Sequence, residues 1–141
     1  MVMFEKELTE LNSSWKYKYD TEQYDIRDNW KIMKEHPYVG DCEDYALTLL
    51  YLISGKSLWK FWWNLITFKA QLRRVITING EGHVVLRYGK MYADNWTLTF
   101  VPWAEMEKLG HEKNFWFYLP QDVALKLLVA KVWKLIRKLK K

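Results

Sequence analysis

Asp41-Cys42-Glu43-Asp44-Tyr45-Ala46-Leu47-Thr48-Leu49-Leu50-Tyr51-Leu52-Ile53-Ser54-Gly55 reads as a helix marked at both ends. Asp41 is a natural N-cap, and Asp44 three residues on gives a variant of the capping box with negative charge in the first turn. Ala46, Leu49, Leu50 and Ile53 follow the i, i+3, i+4, i+7 spacing of a buried stripe. Gly55 is placed to close the helix as a left-handed residue just past its end. Cys42 falls in the first turn, where a helix N-terminus favours the thiolate of a group whose free pKa is about 8.5. It lies four residues before Ala46 and so continues the inward stripe. Asp41, Glu43 and Asp44 oppose a further anion there. A reactive Cys42 therefore needs a basic partner, and the chain has three histidines.

Downstream, 57–70 reads as a second helix, apolar nearly all round, and 73–78 as a strand. Asn79-Gly80-Glu81-Gly82 is a turn, 83–88 a strand, Gly89-Lys90 a two-residue turn and 91–96 a further strand. More strand-like sequence follows at 115–119, and from Pro120 the pattern is helical. Upstream, 1–35 reads as helical pieces broken near Asn12-Ser13-Ser14, and His36-Pro37-Tyr38-Val39-Gly40 as a turn. A helix followed by an antiparallel sheet predicts an α+β protein, the cysteine helix packed on the sheet and an amphipathic helix at the C-terminal end.

The hairpin register selects the partner of Cys42. With Gly89-Lys90 as the loop, Tyr88 faces Met91, Val85 faces Asp94 and His83 faces Trp96. His83, Val85, Asp94 and Trp96 then share one face, with His83 and Asp94 diagonal neighbours at roughly 7–8 Å between backbones. Asn95 points the other way. A lone cysteine is more often an inert core residue and a lone strand histidine more often structural. The conjunction of Cys42 at a helix start with His83 and Asp94 on one hairpin face supplies nucleophile, base and orienting acid. The expected chemistry is acyl transfer: His83 takes the thiol proton, Cys42 attacks a carbonyl carbon, and the Cys42 backbone N–H helps to bind the oxyanion. Water or an amine then resolves the thioester.

Gly40-Asp41-Cys42-Glu43-Asp44-Tyr45-Ala46, Gly82-His83-Val84-Val85-Leu86 and Ala93-Asp94-Asn95 together resemble the bacterial transglutaminase-like cysteine proteinases. Asp28-Asn29-Trp30 is similar to that family's lead-in to the cysteine, so the resemblance covers roughly residues 24–100. It implies a papain-like core, and a Cys42–His83–Asp94 triad acting on a peptide or amide bond. No cofactor is required. The resemblance also implies calcium near the cysteine through Asp41 and Glu43, whose alternative role is capping and solvated first-turn charge. A second oxyanion donor is needed, and the Trp30 indole is the candidate. The chain departs from the family in its shortness and in the Trp-rich stretch 57–70 between cysteine helix and sheet. It also shows no secretion signal: the opening Met1–Glu7 has no basic region followed by an apolar run. The expected compartment is the cytoplasm, and a compact cytoplasmic or virus-borne relative fits.

Composition bounds the rest. At 141 residues the chain suits a single domain over 1–120 with a basic helix, 121–141, docked on it. One cysteine excludes an internal disulfide and a multi-thiolate zinc site. Residues 121–141 carry seven Lys/Arg against Asp122 alone, whereas 1–120 carry 15 basic and 16 acidic residues. The basic pI belongs to the tail, which argues against a specific nucleic-acid binder. Leu125, Leu128, Val129, Val132, Leu135, Ile136 and Leu139 fall in one arc of that helix, about 120° wide at 100° per residue. Such an arc either docks on the domain or seeks an anionic membrane, a cell-wall polymer or a partner. Trp59, Trp62, Trp63 and Trp96 are candidates for a substrate groove, with core packing as the alternative, and His36 and His111 have no assigned role. The partner expected first is a protein or peptide substrate. The competing function is a catalytically unused fold that binds a peptide or a membrane.

Overall fold

A helix that is apolar on every side must be covered on every side, and the segment after Cys42 meets that condition. In a computed structural model, which describes residues 4–13, 15–17, 32, 38–40, 42–78, 80 and 82–139, it forms the centre of the fold. The elements run α1 (Glu5–Asn12), β1 (Lys16–Tyr17), β2 (Val39–Gly40), α2 (Cys42–Ile53), α3 (Leu58–Ile66), β3 (Ala70–Ile76), β4 (Gly82–Tyr88), β5 (Met91–Ala93), α4 (Trp103–Lys108), β6 (Glu112–Tyr118) and α5 (Pro120–Leu139). This is a small α+β protein. The expected N-cap Asp41, the Asp28-Asn29-Trp30 lead-in and His36 lie outside the described residues.

α2 ends as its sequence predicts. The Gly55 N–H donates to the Leu52 carbonyl and the Lys56 N–H to the Tyr51 carbonyl, both at 3.0 Å, with Gly55 at φ +72°. These paired bonds satisfy carbonyls that the helix leaves without a partner. Burial extends well beyond the predicted stripe: Tyr45, Leu47, Thr48, Tyr51 and Leu52 are buried along with Ala46, Leu49 and Leu50. α1 covers one side through Leu8 and Leu11, and the Tyr45 hydroxyl donates to Asn12 Oδ1 at 2.7 Å.

The other side of α2 packs on an antiparallel sheet of order β5-β4-β3-β6. Its register matches Val75 to His83 and Leu72 to Leu86 between β3 and β4, and Tyr88 to Met91 between β4 and β5. Ala70, Leu72, Val84, Leu86 and Ala93 join α2 in one core. Val75, Val85 and Tyr92 face away and are covered by Met106 of α4. A separate parallel pair joins β1 to β2, and β2 contacts α2.

Three of the boundaries that differ from the sequence expectation shape the core and the site. α3 stops at Ile66 rather than continuing to 70, because Phe68 takes φ +59° and turns the chain. β3 then begins at Ala70, which lets Ala70 and Leu72 reach the α2 side. β5 ends at Ala93 rather than 96, because Asp94 Oδ1 accepts the backbone N–H groups of Trp96 (3.0 Å) and Thr97 (2.8 Å) and closes a turn.

α5 also departs from expectation. It docks through Val123, Leu127 and Ala130, none of them in the apolar arc read from the sequence. That arc faces outward, with Leu125 59%, Leu135 60% and Leu139 84% exposed.

Candidate functional site

The turn that ends β5 also builds the site. With Oδ1 held by two backbone N–H groups, the Asp94 side chain is fixed in orientation and its Oδ2 is directed inward. His83 lies on the same face of β4 as Val85, since it is paired with Val75, and its Nε2 is 2.8 Å from Asp94 Oδ2. This is the neighbour relation that the register predicts, although Asp94 itself stands just past the ladder. Asn95 keeps its Oδ1 buried with no hydrogen-bond partner among the described residues, and the carboxylate that meets His83 is Asp94.

A third residue joins them that sequence reasoning left without a role. His111 Nε2 approaches the same Asp94 Oδ2 at 3.1 Å, and the His111 side chain is fully buried. The end of α4 delivers it: Gly110 at φ +88° donates to the Glu107 carbonyl, and the His111 N–H donates to the Met106 carbonyl. The available signal was Gly110 as a helix stop directly before a strand, which aims the next side chain back at the sheet. Trp96 closes the cluster, its ring centroid 5.4 Å from that of His83 and 4.9 Å from that of His111.

Burial alone would raise the Asp94 carboxyl. The hydrogen bonds from His111 and His83, the charge of His83 and the Thr97 N–H outweigh it and hold Asp94 well below the usual carboxylate range. An ionised carboxylate can only accept, so both Nε2 atoms carry hydrogen and donate to Oδ2. When such a ring is neutral, its acceptor atom is Nδ1. The Nδ1 of His111 is buried without a hydrogen-bond partner among the described residues.

Cys42 approaches the same strand from the α2 side. The Val84 N–H donates to Cys42 Sγ at 3.5 Å, one residue along from His83. Thiol and imidazole thus stand at the same end of β4, the cysteine on the Val84 side and the histidine on the Val85 side. The N–H group favours negative charge on sulfur, and the Glu43 carboxylate, to which Sγ donates at 3.4 Å, opposes it.

The other sequence candidates divide. Trp96 is at the site, whereas Trp59, Trp62 and Trp63 sit on α3, which packs against α2, β3 and α5. Trp62 is half-buried against the core, and Trp59 and Trp63 are exposed. Trp30 and Asp41 lie outside the described residues, so of the residues expected for the second oxyanion donor and for calcium only Glu43 can be located. A different donor set could hold a metal: one ligand atom each from His83, Asp94 and His111 lies within 4.8 Å of the others. The Trp96 and Thr97 N–H groups that hold Asp94 Oδ1 are the outer-shell support such a ligand commonly has. Set against the known protein families and the curated protein sequences, the chain matches none of them.

Proposed function

We propose that this protein is a cysteine hydrolase of the peptidase or amidase type, with Cys42 as nucleophile, His83 as general base and Asp94 as its orienting acid. The observation that carries this reading is the buried His83–Asp94 pair, one residue from the backbone N–H that meets Cys42 Sγ. The Gly-Asp-Cys-Glu-Asp-Tyr-Ala and Gly-His-Val-Val-Leu stretches support it by their similarity to transglutaminase-like proteinases, and a helix that starts at Cys42 and packs on an antiparallel sheet is compatible with the papain-like core that this similarity implies.

In this reading Asp94 fixes the tautomer. With hydrogen on Nε2, the His83 Nδ1 lone pair takes the Cys42 proton at the start of β4. The sulfur adds to a carbonyl carbon, and the oxyanion is held by N–H groups at the α2 start. The tetrahedral intermediate collapses to a thioester as the imidazolium returns the proton to the leaving amine. Water then attacks with His83 again as base, releasing the acid and restoring the thiol. An amine in place of water gives transamidation.

Iodoacetamide labelling of Cys42 across pH tests the assignment. The labelling profile should report a thiolate forming well below the free-thiol value of about 8.5. His83→Ala and the bulkier His83→Gln should both return it to that value while the fold, followed by circular dichroism, is kept. An unreactive thiol, or a profile that folded His83 variants leave unchanged, sinks the enzyme reading.

A further inference from the structure

The outward arc of α5 is matched by a second exposed apolar face on α3. Trp59 is 82% exposed, Trp63 60% and Ile66 57%, with the exposed Lys60 at the edge of this face. α3 and α5 are in contact. Positive charge is concentrated in the stretches of chain that contain these two elements. The segments 45–80 and 121–141 together hold twelve Lys/Arg and one acid, whereas the rest of the chain holds ten Lys/Arg and sixteen acids. On α5 the exposed Lys131 and Lys138 flank the arc rather than interrupt it.

We propose that the outer faces of α3 and α5 form a docking surface for an anionic lipid bilayer, with both helices lying in the plane of the interface. Apolar side chains at the centre with lysines at the margin match acyl chains below anionic headgroups. Tryptophan favours that boundary, having an apolar ring and an N–H that stays hydrated. A nucleic acid would require cations where this surface presents Leu, Val and Trp. A second copy of the chain would bring like charge against like charge, whereas an anionic bilayer neutralises it. Among the described residues no helix is long and apolar enough to cross a membrane, so the contact is one of lying on the surface. This surface is separate from the thiol chemistry, and its test does not depend on that reading.

The test is co-sedimentation of the full chain with vesicles of phosphatidylcholine alone or mixed equally with phosphatidylserine, with tryptophan emission recorded in parallel. Binding to the mixed vesicles should be at least about tenfold tighter than to the neutral ones, weaken with salt and shift the emission to the blue. Leu128→Asp with Leu135→Asp should abolish binding without lowering the melting temperature, since neither residue is in the core. Lys131→Glu with Lys138→Glu should remove the preference for anionic lipid. No binding to mixed vesicles overturns the proposal, as does binding that the Leu128/Leu135 variant retains. Retention on DNA without vesicle binding overturns it in favour of a nucleic acid, and a dimer that the same variant dissociates, again without vesicle binding, in favour of a second copy.

Discussion

Asp94→Asn exchanges one atom and tests the whole arrangement around the carboxylate. The introduced amide can keep the Oδ1 contacts to the Trp96 and Thr97 N–H groups, so the turn after β5 is retained. In place of Oδ2 it offers an NH₂ donor to two Nε2 atoms that themselves donate. Two hydrogen bonds to a charged group are lost, each worth about 1.5–3 kcal/mol, and neutral replacements recover about 0.5–1.5 kcal/mol apiece if the rings change tautomer. The expected destabilisation is about 2–4 kcal/mol near neutral pH, measured by urea unfolding. The folded carboxyl lies below its unfolded value of about 3.9, so its stabilisation is complete above that pH and is lost as pH falls towards the folded value. The gap between wild type and variant should therefore close on acidification. A ring forced to carry hydrogen on Nδ1 cannot accept the Cys42 proton, so the thiol should label as an ordinary cysteine and any acyl transfer should drop by roughly 10³–10⁴. A variant within about 0.5 kcal/mol of wild type, a gap unchanged between neutral and acid pH, or wild-type labelling refutes the reasoning.

Two glycines separate rigid from compliant surroundings. A Cβ at Gly40 would strike the buried Asp44 side chain in the first turn of α2, so Gly40→Ala should cost about 1–3 kcal/mol in urea unfolding. A Cβ at Gly82 meets the far end of the exposed Arg74, which can swing aside, so Gly82→Ala should stay within about 0.5 kcal/mol of wild type; reversed ranks refute the packing argument. If His83, Asp94 and His111 hold a metal, zinc should slow iodoacetamide labelling of Cys42 by withdrawing its base, and His111→Phe should relieve the effect. Equal slowing with and without His111 removes it from the ligand set.

The sequence made legible whatever local pattern and turn chemistry determine. Gly55 closed α2 because a left-handed residue was needed there, and Gly89-Lys90 set the Tyr88–Met91 register because a two-residue loop allows little else. The His83–Asp94 contact followed from that register. What was not legible came from tertiary demand. Periodicity places the α2 stripe on one face, but Tyr45, Leu47 and Leu52 are apolar too, and α1 and the sheet cover both sides. The α5 arc is the more apolar face by pattern, yet the helix docks by the slimmer set Val123, Leu127 and Ala130. Periodicity names a stripe without saying what meets it. His111 was missed because its partner lies 17 residues back, across a turn and a short helix that carry no signal of their meeting.

The protons at Asp94 limit what the cluster can do at one time. As a hydrogen-bonded group, His83 and His111 each keep hydrogen on Nε2 and share one carboxylate oxygen. A metal in the same place needs both Nε2 lone pairs, and so both hydrogens must leave or move to Nδ1. For His83 that move occupies the very atom that would accept the Cys42 proton. If His83 is the base for Cys42, thiol activation and metal capture would therefore exclude one another. His111 counts differently in the two. It is an indispensable ligand in the metal state, whereas in the acid–base state it is a second donor that keeps Asp94 ionised in a site that burial would otherwise neutralise. A buried Asp94 held by one neutral imidazole would be drawn towards protonation, and a protonated Asp94 would release the tautomer on which His83 depends.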